Sequence, residues 1–77
     1  MNVFLVEDSP NIRSLIRLCI ESIGGRIAGE ADSQQQAITD VCLLKPDIVI
    51  IDLWLREGSG FTVIQALKAQ LPYITQI

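Results

Sequence analysis

Histidine is absent from this 77-residue sequence. With it go the Ser-His and Cys-His pairings that activate a nucleophile. The two cysteines, Cys19 and Cys42, cannot assemble a four-ligand zinc site without imidazole partners. Both sit in helical patterns among apolar neighbours, so they are expected to serve as small buried hydrophobes. Basic residues are few and scattered: Arg13, Arg17, Arg26, Lys45, Arg56 and Lys68 form no cluster, and the net charge is −3. That distribution lacks the electrostatic footprint of a nucleic-acid binder, so no direct contact with DNA or RNA is expected. No apolar run approaches the ~20 residues that span a bilayer. The N-terminal run is short, has no basic lead-in and meets acid at once, unlike a secretory leader. The expected location is cytoplasmic and the expected membrane role is none.

What the chain does have is apolar content, 49% of its residues. That is too much for a disordered segment and suits one compact domain. A chain of this size hides only about 60% of its unfolded surface, which makes its stability marginal. Residues 2 to 6 form a nearly all-apolar run without alternation, the pattern of a central parallel strand covered on both faces. Ser9 then caps a helix that opens with Pro10, and Ile12, Leu15, Ile16, Cys19, Ile20 and Ile23 recur at spacings of three and four. Gly24-Gly25 ends that helix, and residues 26 to 31 read as a weaker edge strand. Asp32 or Ser33 caps a second helix carrying Ala37, Ile38, Val41 and Leu44, closed by Lys45-Pro46 because proline disfavours helix in the residue before it. Residues 47 to 53 make the strongest strand, and Phe61, Val63, Ile64, Leu67 and Leu71 define a third helix that Pro72 breaks. Residues 73 to 77 start a fourth strand. The order βαβαβαβ with short connections implies a parallel sheet with helices on its faces. The expected class is therefore α/β, a flavodoxin-like doubly wound sheet of strand order 2-1-3-4.

Two strands in this reading end in acid, Val3-Phe4-Leu5-Val6 in Glu7-Asp8 and Ile48-Val49-Ile50-Ile51 in Asp52. In open α/β sheets, ligands bind beyond the carboxyl ends of the strands where the strand order reverses. In a 2-1-3-4 order that point falls between strands 1 and 3, bringing Glu7, Asp8 and Asp52 together. Three close carboxylates either raise the pKa of one member or recruit a cation. Mg²⁺ fits such a site, since it takes oxygen ligands and is commonly shared between one or two carboxylates and a phosphate. A carboxylate beside that ion is also a competent nucleophile toward phosphorus.

These residues resemble the receiver domain of two-component response regulators. The matching pieces are Glu7-Asp8 after an apolar first strand, the run from Asp47 to Leu55, and Gly60 at the family's usual offset from Asp52. The resemblance covers essentially the whole chain. It implies that Asp52 accepts a phosphoryl group, and that Glu7, Asp8, Asp52 and the backbone carbonyl of Trp54 hold Mg²⁺. The donor it implies is a histidine kinase or phosphotransfer protein, because the phosphohistidine has to belong to another molecule. Arg56 stands where the family most often has proline. Family members run to about 120 residues, a usual domain size. Residues 1–77 are thus expected to form a single truncated receiver domain without the usual last strand and last two helices. The Ser or Thr and the Lys that read the phosphoryl group in the family would fall beyond Ile77.

The resemblance implies a switch rather than an enzyme. A different outcome is a phosphorylation-inert interaction module that binds a kinase or self-associates through the strand 4 edge and an uncovered face beside the first helix. A metal-dependent phosphohydrolase is disfavoured, because such enzymes place a second acid two residues after the nucleophile, where this chain has Trp54. Individually, Ser9 and Ser59 read as caps, Lys68 as a solvated charge, and Trp54 either as a partner contact or as a shield over the site. Arg56 is a candidate phosphate-facing cation.

Overall fold

A computed structural model describes all 77 residues. Four parallel strands, β1 (Asn2–Val6), β2 (Arg26–Ala31), β3 (Ile48–Ile51) and β4 (Thr75–Gln76), alternate with helices α1 (Pro10–Ser22), α2 (Gln34–Leu44) and α3 (Gly60–Gln70). The sheet order is β2-β1-β3-β4, the order expected from the sequence. Because the chain moves from β1 to β2 and then back across β1 to β3, right-handed crossovers put α1 on one face and α2 and α3 on the other.

The helix boundaries follow local chemistry. Ser9 Oγ accepts the Ile12 N–H at 3.3 Å, Ser33 Oγ accepts that of Gln36 at 3.3 Å, and Ser59 Oγ accepts that of Phe61 at 3.1 Å. Each bond satisfies a donor that the first helical turn leaves free. Of the two caps considered for α2, Ser33 is the one used. Lys45, just before Pro46, ends α2 in the left-handed region at φ 50.

One face of the sheet is a closed core. Phe4, Val6, Val49 and Ile51 point into it and meet Ala37 and Val41 of α2, Val63 and Leu67 of α3, and Leu71 and Ile74 beyond. Phe4 fills the space left by Gly29, where an added Cβ would stand 2.7 Å from the ring. The opposite face carries the alternate residues, among them the fully buried Val3 and Leu5. There α1 packs mainly against β2, and no residue of α1 is buried. Leu15, Leu18 and Ile23 are 62, 64 and 74% exposed.

That open face corrects the expectation for Cys19, which is exposed, while Cys42 is half-buried with its thiol donating to Gln70 Oε1 at 3.2 Å. Helical periodicity marks an apolar stripe, but only tertiary contact covers it. Two strands are also shorter than expected. β3 stops at Ile51 because the chain then turns toward α3, with Gly60 N–H bonding Leu53 C=O at 3.1 Å. β4 comprises Thr75 and Gln76, although Ile77 prolongs the ladder by donating to Val49 C=O at 2.9 Å.

Candidate functional site: an acidic cluster at the strand-order switch point

β1 and β3 run in register, with Val6 opposite Ile51. Glu7 and Asp52 are therefore the first residues past the last paired positions. Their backbones remain tied to the sheet: Asp52 N–H bonds Val6 C=O at 2.8 Å, and Glu7 N–H bonds Ala31 C=O at 3.0 Å. The sheet thus fixes where each carboxylate starts, and adjacency of the two strands decides that they meet. Glu7, Asp8 and Asp52 each present an oxygen, and these lie within 4.8 Å of one another.

The three acids are not equivalent. Glu7 is buried, whereas Asp8 and Asp52 are half-buried. Burial pushes the Glu7 carboxyl above its ordinary value of 4.5, and a hydrogen bond and charge repulsion from Asp52 push the same way, with a smaller upward push from Asp8. The Ser9 N–H, 3.4 Å from Glu7 Oε2, opposes them. Asp52 Oδ1 accepts the Trp54 N–H at 3.2 Å, which orients the carboxylate within its own loop.

Gly60 explains its own position. A Cβ there would stand 2.2 Å from Asp52 O and 2.7 Å from Leu53 Cα. The start of α3 is thereby packed directly on the backbone behind Asp52, an approach open only to glycine. Trp54 is 79% exposed and meets Phe61 edge-on, with ring centroids 6.5 Å apart.

Residues to which the sequence reading gave no place in the acidic cluster also gather beside it. Asp8, Asp32, Arg56 and Glu57 line a recess of about 120 Å³. Asp32 follows the last residue of β2 as Glu7 follows the last residue of β1, so the same reading of strand ends had the signal to find it. Arg13 and Glu30 are less legible. Arg13 Nη1 donates to Glu7 C=O at 2.9 Å, and its Nε pairs with Glu30 Oε1 at 2.9 Å.

The donor set fits a hard divalent cation: three carboxylate oxygens converge, and their crowding together with burial raises the Glu7 carboxyl above its ordinary value, a cost that a cation offsets. A doubly wound parallel sheet of order β2-β1-β3-β4, with acids at its switch point, defines the flavodoxin-like α/β class. The response regulator receiver domain model matches residues 3–77. The chain belongs to that family, the receiver domains of two-component signalling.

Among its relatives, the KDP operon transcriptional regulatory protein KdpE of Escherichia coli (strain K12) is 37% identical over 67 residues, covering 87% of this chain and 29% of KdpE. The chemotaxis protein CheY of Thermotoga maritima is 32% identical over 65 residues, covering 84% of this chain and 54% of CheY. Among solved structures, the response regulator PhyR from Brucella abortus superposes with a TM-score of 0.91 at 27% identity, over 99% of this chain and 31% of PhyR. The chain therefore spans from about a third to about half of the length of these proteins.

Proposed function

We propose that this chain is a phosphoacceptor receiver that takes a phosphoryl group on Asp52 from the phosphohistidine of a histidine kinase or phosphotransfer protein. The observation that carries the reading is the convergence of Glu7, Asp8 and Asp52 within 4.8 Å at the switch point. In the transfer, an Asp52 carboxylate oxygen attacks phosphorus, the P–N bond breaks, and its electron pair returns to the donor imidazole. The product is an acyl phosphate on Asp52. Glu7, Asp8, Asp52 and the Trp54 backbone carbonyl would hold Mg²⁺. When bound, that ion supplies positive charge against the carboxylates and the incoming phosphoryl group.

The chain's own residues supply position. The Trp54 N–H orients Asp52, and the close seat of Gly60 fixes the backbone behind it. Transfer is stoichiometric, so the domain acts as a switch rather than a turnover enzyme. A group of about −1.5 to −2 charges placed beside the Leu53–Ser59 loop biases that loop. The loop already holds α2, through Gln34 N–H to Glu57 C=O at 3.0 Å and Ser59 N–H to Gln34 Oε1 at 3.0 Å. The reading places the protein in the cytoplasm with its kinase, and no helix is long and apolar enough to cross a membrane.

The test is incubation with Mg²⁺ and acetyl phosphate followed by intact-mass measurement. The expected result is one added phosphoryl group, absent from Asp52→Asn. Folded protein that gains no mass would overturn the phosphoacceptor reading.

The exposed Leu15 and Leu18 of α1 and the adjoining Ile23 favour a second role alongside the first, self-association or kinase docking that needs no phosphorylation. Light scattering that gives a monomer at high concentration would remove the self-association arm.

A further inference from the structure

The peptide joining Glu7 to Asp8 is held from outside the acidic cluster. Its carbonyl oxygen accepts Arg13 Nη1 at 2.9 Å. Arg13 is itself anchored: its Nε lies 2.9 Å from Glu30 Oε1, and Arg17 takes the same carboxylate through Nε to Oε2 at 3.0 Å and Nη2 to Oε1 at 3.3 Å. Glu30 on β2 thus locks two guanidinium groups from successive turns of α1. Of these two, Arg13 also reaches the site. Both Arg13 and Glu30 are shielded, with side chains 22 and 25% exposed.

A peptide group is planar, so whatever fixes the Glu7 carbonyl also fixes the Asp8 N–H and the position of the Asp8 Cα from which its side chain departs. The other side of Glu7 is already tied by its N–H to Ala31 C=O at 3.0 Å. We infer that Arg13, anchored by Glu30, is a positioning residue that sets the Glu7–Asp8 peptide plane and so holds Asp8 in reach of a cation shared with Asp52. The inference rests on the cation and phosphoryl reading of the cluster and adds a part that touches neither cation nor phosphoryl group.

Electrostatics and positioning make opposite predictions, which gives a sharp test. Two arginines against one Glu30 leave a net positive charge behind the acids. If charge alone mattered, removing either arginine would tighten cation binding. If Arg13 positions Asp8, Arg13→Met weakens binding while Arg17→Met leaves it unchanged or slightly tighter. The measurement is a Mg²⁺ titration of the 77-residue chain followed by the fluorescence of Trp54, the sole tryptophan, with folding checked by circular dichroism. Loss of an outer-shell partner typically weakens metal affinity about 10- to 100-fold, and the expected loss for Arg13→Met is about tenfold. Arg13→Gln, which keeps a shorter donor without the charge, is expected to weaken binding less and serves if the methionine variant does not fold.

Arg13 variants that bind Mg²⁺ as tightly as the parent, or more tightly, overturn the inference. So does Arg17→Met weakening binding as much as Arg13→Met, since that would mean general loosening of α1. A metal-free readout separates this inference from the function above. The Asp8 amide resonance should shift in the Arg13 variants and stay in place in Arg17→Met. If the parent binds no Mg²⁺, the cation reading falls, and the Asp8 resonance alone then upholds the tether by shifting or overturns it by not shifting.

Discussion

Replacing Asp52 by asparagine keeps the shape of the side chain and removes one of three charges whose oxygens lie within 4.8 Å. Two full charges at that distance repel by about 3.5 kcal/mol at an effective dielectric constant of about 20. Asp52 and Asp8 are half-buried, so solvent screening reduces that figure. The relief expected in metal-free protein is about 1–2 kcal/mol. For a domain of this size that corresponds to a Tm rise of about 5–15 °C. Mg²⁺ should reverse the ranking. A cation at ten times its Kd stabilises the parent by RT ln 11, about 1.4 kcal/mol, and the variant gains little because it has lost a ligand. Thermal melts in chelator and in Mg²⁺, read by calorimetry at fixed ionic strength, give both quantities. An asparagine variant that melts at or below the parent in chelator would refute the repulsion argument. A Mg²⁺ shift that persists undiminished in the variant would refute Asp52 as a ligand.

Three further outcomes follow from named contacts. The Glu7 carboxyl is raised above 4.5 in the folded protein, so its contribution to stability is fully present below that pH and is lost as pH rises through its folded value; without divalent cation, parent stability minus that of Glu7→Gln should fall across this window, and a flat difference measured by urea unfolding would contradict the shift. Gly60→Ala forces a Cβ against the backbone of Asp52 and Leu53; overpacking of this kind costs about 1–3 kcal/mol, and phosphorylation by acetyl phosphate should slow with it, whereas an unchanged Tm and rate would show that α3 can shift freely. Phe4→Ala removes a fully buried ring from the closed core; the expected loss of about 3–5 kcal/mol is comparable to the total stability of a domain this small, so circular dichroism should find the variant largely unfolded at room temperature.

The element order and the composition of the site were legible because their causes are local. Apolar runs of period-free residues gave β1 and β3, three- and four-residue spacing gave α1, and serines before Pro10, Gln34 and Gly60 set the helix starts through bonds that span two or three residues. The acids at the ends of two strands became a site once the parallel order was inferred, since topology alone puts residues 7, 8 and 52 at one edge. The exposure of Cys19 was not legible in the same way. An amphipathic stripe has the same period whether a neighbour covers it or not, and α1 has none over Leu15 and Leu18.

The sequence by itself therefore determined the alternation of strands and helices and the acids at the strand ends. Only the tertiary structure decided that Glu7 is the buried acid, that Gly60 sits against the Asp52 backbone, and that Arg13 reaches the Glu7 carbonyl from Glu30 on β2. The physical reason is range. Periodicity and capping act over a few residues, whereas burial, close approach and ion pairing depend on segments distant in sequence that the folded sheet brings together.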